Sequence, residues 1–221
     1  MSVPFPPMKR LLVAILRGVK PEETEAIVGV LIEAGMTAIE IPLNSPDPFR
    51  SIAMAVKQAP SGVLIGAGTV LTTADVDRLN DVGGKLMVSP NVDTEVLARA
   101  HQHGMVTMPG VFSPTEALLA ARSGASSLKF FPASVLGASG IAAIRAVLPS
   151  GGDDRGRRRR LRPELCGVHQ GRRDGVRPRL QPLQARHDGG GCRSSREGHS
   201  RGLRSGNCEK LSRNRQAMIV S

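Results

Sequence analysis

Between Leu11 and Pro149 short apolar runs alternate with segments whose apolar positions recur every three to four residues. The run LLVAIL precedes KPEETEAIVGVLIEAG, in which Ala26, Ile27, Val30, Leu31 and Ala34 share helical spacing, so a strand and then an amphipathic helix are predicted. Acidic residues fill the first turn of that helix, where the backbone dipole favours them, and Gly35 stands where a helix ends. The same alternation repeats. AIEIPL leads into SPDPFRSIAMAVKQA, with Ser45 as the predicted N-cap. VLIGAGTV leads into TADVDRLNDVG, LMVSP into NVDTEVLARAHQHG, VTMPGV into SPTEALLAARSG, and SLKFFP into SGIAAIRAVLP. Strands that are apolar on both faces and never joined by hairpin turns belong in a parallel sheet covered by helices, with right-handed crossovers. Six such units fit either an open doubly wound sheet or a closed (β/α)8 barrel. No strand runs into G-x-G-x-x-G, and GAGT at Gly66–Thr69 reads as a tight turn rather than a phosphate cradle.

Charge divides the chain. Over the full 221 residues the formal charge is +11, but residues 1–150 hold 12 basic and 12 acidic residues, whereas 151–221 hold 18 and 7. All five Phe lie in the first part, and Cys166, Cys192 and Cys208 lie in the second. Residues 1–150 are therefore read as one folded body and 151–221 as an Arg/Gly/Pro-rich tail, expected to be disordered. The body has no cysteine for disulfides or thiolate metal sites, and the tail has no C-x-x-C pairing, so free thiols are expected rather than zinc. No membrane span or secretory signal is evident, which predicts a cytoplasmic protein. The tail raises the possibility of a nucleic-acid partner. It lacks aromatics for base stacking and any DNA-binding pattern, which predicts salt-sensitive, non-selective binding at most.

In a barrel, chemistry collects at the C-terminal ends of the strands. Arg17, Thr69 and the pair Ser89–Pro90 stand at such ends, while Glu40 and Lys129 lie inside apolar strands. Charged residues in such runs are paired or functional. Alternation puts Ser127, Lys129 and Phe131 on one face and Leu128 and Phe130 on the other, so Lys129 points into the barrel if Phe130 packs on helices. A desolvated lysine is more often the neutral amine, which can add to a carbonyl and form a Schiff base. A nearby carboxylate can move a proton at the adjacent carbon, and an arginine can grip a substrate carboxylate. A class I aldolase set and a buried Lys–Glu pair that only fixes the core both fit this spacing. His101 and His103 are read as a solvated helix end, and Met36, Met87, Met105 and Met108 as core filling.

The runs AILRG, AIEIPLNSP, LIGAGTVL, MVSPN, MPGVFSPTEA and SLKFFPAS, in this order, cover most of residues 10–150. Together they resemble the 2-keto-3-deoxy-6-phosphogluconate aldolase family, and IEIPLNSP resembles its 2-dehydro-3-deoxy-6-phosphogalactonate branch. The resemblance implies a (β/α)8 TIM barrel, of which six of eight units are recognisable here. It implies Lys129 as the Schiff-base residue, Glu40 as general acid/base, Arg17 and Thr69 as contacts to the pyruvyl portion, and Pro90 as pocket lining. It also implies a phosphorylated keto-acid substrate cleaved to pyruvate and glyceraldehyde 3-phosphate, a homotrimer, and no metal or other cofactor, since the protonated imine serves as electron sink.

Family members carry two glycine-rich runs, AVGGVS…NF and FGLGSSLY, in the last two strands, where backbone N–H groups hold the phosphate. Neither run is present; the Arg-rich tail stands in their place. If each Arg is CGN and the message is read one base later, Arg157–Arg160 permits V-G-G-V. The run VRPRLQPLQARHD from Val176 likewise permits F-G-L-G-S-S-L-Y-K-P-G-M-T. Both missing motifs return, in order, which predicts a slip of frame near Ser150–Gly152. A chain made as written is expected to leave the first and sixth strands with bare edges, to lack phosphate donors, and to show little aldolase activity.

Overall fold

The computed structural model describes residues 3–6, 8 and 12–149, together with the backbone of 217–220. The body follows the predicted alternation: β1 (Val13–Leu16), α1 (Pro21–Glu33), β2 (Ala38–Pro42), α2 (Pro48–Gln58), β3 (Leu64–Gly68), α3 (Thr73–Asp81), β4 (Leu86–Val88) and α4 (Thr94–Gln102). Then come β5 (Val106–Met108), β6 (Gly110–Val111), α5 (Pro114–Arg122), β7 (Lys129–Phe130), α6 (Ala133–Val147) and β8 (Ala217–Val220).

Strands β1 to β5 pair in sequence order, each parallel to the next. The run VTMPGV, predicted as one strand, is two. Pro109 has no N–H for the ladder and divides it, so β5 pairs with β4 and β6 pairs with β7. The Pro109 carbonyl still accepts the Lys129 amide at 2.9 Å. The wall therefore proceeds from β1 to β7 without reversing direction, as six units of a (β/α)8 barrel do.

The expectation of a bare edge at the first strand is corrected. Strand β8 lies antiparallel on β1, with Val13 opposite Val220 and Leu16 opposite Ala217. The physical reason is local: AMIV is an apolar, β-prone stretch that the arginine-rich composition of 151–221 obscures. The rest of that tail, with its three cysteines and its predicted disorder, lies outside the described residues.

Each strand turns alternate residues to opposite faces. Val13, Ile15, Ala38, Leu86, Val88, Val106 and Met108 form the inner cluster, against which Val3, Phe5, Met8 and Leu64 pack. Ser126, just before β7, donates its hydroxyl to the Val3 carbonyl. The N-terminal segment thus lies across the strands' N-terminal ends, opposite the end that carries the polar residues. The outer faces meet the helices through Ile39, Ile41, Ala67 and Met87 against Val28, Ile52, Leu79 and Leu97. Full burial of each such large aliphatic side chain contributes about 1.5–3 kcal/mol. Met36, Met87, Met105 and Met108 are buried, as core filling requires.

Local chemistry sets the helix starts. Thr72 accepts from the Asp75 amide, Asp93 from those of Glu95 and Val96, and Ser113 and Glu116 cap each other's amides reciprocally. Ser45 is not the N-cap of α2. Pro48 takes the first helical position, where its missing N–H costs nothing, and this makes Asp47 the cap, at φ 41°. The Ser45 hydroxyl instead accepts the Gly18 amide at 3.0 Å.

Candidate active site

Glu40 sits in the middle of β2, opposite Ile15 of β1 and Gly66 of β3, with its side chain on the inner face. Lys129 opens β7 beside Gly110 of β6. Phe130 is fully buried between α5 and α6, with Ala117, Ala120 and Ile144, and this anchors the alternation that turns Lys129 inward. Both charged residues are buried, at 1% and 7% exposure. Lys129 Nζ lies 4.0 Å from Glu40 Oε1 and 5.3 Å from the centroid of the Phe131 ring. Glu40 Oε2 is buried and accepts no hydrogen bond from the described residues.

Burial pushes the Glu40 carboxyl above its ordinary value, and the positive charges of Lys129 and Arg17 only partly offset this. A carboxyl in that state takes up and releases a proton nearer to neutral pH than an exposed glutamate does. A lysine amine and an acid of this kind, buried close together, can form an imine and shuttle a proton beside it.

Arg17 is exposed in the turn after β1 and acts on Glu40 through charge. That turn is held by Gly18, at φ 76°, bonded through its amide to Ser45. Thr69 follows β3 directly and adopts φ 57°, the left-handed region that a β-branched residue rarely enters. Pro90 follows β4; a Cβ at Gly110 would collide with its carbonyl, so this loop closes tightly on the strand beside Lys129. The structure thus brings Lys129 and Glu40 together, adds Arg17 electrostatically, and sets Thr69 and Pro90 at neighbouring strand ends. Sequence reasoning missed the Ser45–Gly18 bond, the close approach of Gly110 to Pro90, and that of Gly68 to the Glu40 carboxylate. The small residues of GAGT and MPGV were the available signal.

The histidines need one correction. His103 Nε2 lies 2.7 Å from Asp77 Oδ1, which also accepts from Arg99 Nε at 2.6 Å, so His103 belongs to a tie between α3 and α4 rather than to a solvated end. Both bonds hold the Asp77 carboxyl below its ordinary value. Among the described residues no three His, Cys, Asp or Glu side chains gather in a way that could hold a metal ion, and no helix is long and apolar enough to cross a membrane.

Known proteins carry the same arrangement of sequence. Over 147 residues the chain is 75% identical to a protein of Rhizobium meliloti (strain 1021) named probable 2-dehydro-3-deoxy-6-phosphogalactonate aldolase, covering 66% of this chain and 69% of the relative. A solved structure titled "Native KDPGal structure" superposes with a TM-score of 0.64 at 47% identity, over 68% of this chain and 71% of that one. An aldolase of Legionella pneumophila, whose structure holds pyruvate as a covalent carbinolamine, superposes with a TM-score of 0.57 at 26% identity, over 62% and 66%. Residues 8–152 match the family model for KDPG and KHG aldolase, ending where the composition changes, and the chain belongs to that family.

Proposed function

We propose that the body of this chain is a class I aldolase that cleaves 2-dehydro-3-deoxy-6-phosphogalactonate to pyruvate and D-glyceraldehyde 3-phosphate through a Schiff base on Lys129. The observation that carries the reading is the buried pair of Lys129 and Glu40, 4.0 Å apart, with Glu40 Oε2 left without a partner among the described residues. A pair that only fixed the core would use both carboxylate oxygens, since an unsatisfied buried acceptor costs about 1–3 kcal/mol. A carboxylate oxygen with no fixed partner among the described residues is open to proton transfer with a substrate.

Once it has given up its proton, the Lys129 amine adds to the C2 carbonyl of the keto-acid, and the carbonyl oxygen leaves as water after protonation. The Glu40 carboxylate takes the C4 hydroxyl proton. The C3–C4 bond breaks, its electron pair forming the C2–C3 double bond while the imine pair moves to nitrogen, and the aldehyde departs. Glu40 returns the proton to C3, and hydrolysis of the imine releases pyruvate. Arg17 would hold the keto-acid carboxylate, with Thr69 beside it and Pro90 lining the pocket. The name of the 75%-identical relative supports the galactonate substrate over its gluconate epimer.

The phosphate is a separate matter. The glycine runs that would hold it are absent from the sequence as written, and the family match ends at residue 152. A slip of reading frame near Ser150–Gly152 accounts for both. The chain as written would then keep the pyruvate half of the reaction and be impaired in cleaving the phosphorylated substrate. A nucleic-acid-binding reading rests on the charge of the tail alone, which lies outside the described residues.

Borohydride reduction with pyruvate tests the reading on the chain as it is. An irreversible pyruvyl adduct mapped to Lys129 is expected. No adduct, or an adduct confined to surface lysines, overturns the assignment. Restoring the frame should raise cleavage of the phosphorylated substrate while leaving the adduct where it was.

A further inference from the structure

We propose that Gly68 is a positioning residue: the absence of a side chain there creates the seat in which the Glu40 carboxylate lies. It thereby sets the oxygen that exchanges a proton with substrate held on Lys129. The proposal deepens the aldolase reading and rests on it.

The register of β2 and β3 sets Glu40 opposite Gly66 and Pro42 opposite Gly68. The Glu40 side chain nevertheless reaches forward along the strand direction, past its partner, to Gly68. A Cβ built on Gly68 would overlap Glu40 Oε2 and lie 3.2 Å from Oε1. Gly68 is not among the residues at positive φ, so its backbone conformation is open to any amino acid and what the glycine supplies is space. Gly66, two residues earlier on the same face, differs. A Cβ there would strike the backbone carbonyl of Leu86, so its role is the packing of strand on strand. At Gly68 the obstructed atoms belong to the far end of a flexible side chain. A methyl group added there displaces the carboxylate rather than the wall. The displaced group is the one whose Oε2 is free and whose Oε1 is 4.0 Å from Lys129 Nζ.

The consequence is specific to one step. Imine formation needs the amine, whereas hydrogen exchange at C3 of the pyruvyl imine needs the carboxylate. In that exchange Glu40 removes a C3 proton, the C–H pair becomes the C2–C3 double bond, and the imine pair moves to nitrogen. Reversal in D2O delivers deuterium to C3. Neither step needs the phosphate.

The experiment uses the full-length chain, with borohydride trapping of pyruvate and deuterium exchange into its methyl group measured on the parent, Gly68→Ala, Glu40→Ala and the double variant. Positioned general bases contribute roughly 10²- to 10⁴-fold. Gly68→Ala should trap at the parent level, exchange at least about tenfold more slowly, and show a shifted acid limb in its pH profile. In the Glu40→Ala background the same change should have no further effect on exchange. Exchange at the parent rate in Gly68→Ala, or an equal loss in both backgrounds, overturns the proposal. If Gly68→Ala fails to fold, Gly68→Ala/Glu40→Ala decides: folding of the double variant supports the seat, and its failure places the clash elsewhere and overturns it. A parent chain that neither traps nor exchanges overturns the aldolase reading itself, and the seat with it. A parent that does both while Gly68→Ala is unaffected overturns the seat alone.

Discussion

Glu40 and Lys129 meet at 4.0 Å although their strands, β2 and β7, are not neighbours in the wall. Between them stand β3, β4 and the divided strand β5–β6. At about 4.8 Å per step, a flat sheet would hold β2 and β7 roughly 19 Å apart. The pair therefore exists only because the wall curls, and its short separation is a direct measure of barrel curvature. The site is a property of tertiary closure rather than of any one pair of neighbouring strands.

Glu40→Gln separates the two chemical roles. The amide keeps the shape but accepts no proton, so pyruvate should still be trapped on Lys129 while methyl exchange falls by roughly 10²- to 10⁴-fold. Lys129→Ala should lose both. Mass mapping of the reduced adduct and exchange followed by NMR check this; equal loss of trapping and exchange in Glu40→Gln would speak against distinct roles.

The same residue links pH to stability. The carboxyl of Glu40 is raised above 4.5 in the fold because burial disfavours its charged form. Below 4.5 both folded and unfolded chains carry the proton, and the contribution is complete. As pH rises, the unfolded chain loses its proton first, so stability is drawn off until the pH passes the folded value. Glu40→Gln, permanently neutral, escapes this loss. It should melt higher than the parent near neutral pH, with the gap closing in acid. Thermal melts across that range check the sign, and a gap that widens in acid would reverse it.

The alternation of strands and helices was legible because burial on both faces and helical period leave different marks, and Lys129 and Glu40 stood out as charges in apolar runs. Gly68 was not legible in this way. Its part is steric and appears only once β2 and β3 are in register. Ser45 was misread because NSPDP offers two capping side chains ahead of a proline, and only the position of Pro48 decides between them. The short strand β8 was hidden by averaging over an arginine-rich tail.

Ser45→Ala should act through Arg17. Losing the hydroxyl that accepts the Gly18 amide removes an interaction of about 1 kcal/mol and loosens the turn after β1. The expected result is a severalfold higher KM for pyruvate in the exchange reaction with kcat little changed, because uniform binding rather than the proton step is affected. Ser45→Thr, which retains the acceptor, should recover the parent KM. A fall in kcat at constant KM would instead place Ser45 with the proton-transfer groups.

Thr69 combines strain with contact, and two substitutions pull these apart. Its left-handed backbone costs about 1–2 kcal/mol for a residue with a Cβ. Thr69→Gly removes that cost but gives back about 0.4–1 kcal/mol through the greater freedom of the unfolded chain, so stability should hold or rise slightly. Thr69→Val keeps the branched shape and the strain while losing the hydroxyl, and should be less stable than Thr69→Gly. If the hydroxyl meets the pyruvyl portion, both variants raise KM for pyruvate by a similar severalfold factor, consistent with loss of one hydrogen bond. Melting curves and exchange kinetics on the same preparations give the comparison. A Thr69→Val enzyme with parent KM would show that the strained backbone, not the hydroxyl, is what substrate requires at the end of β3.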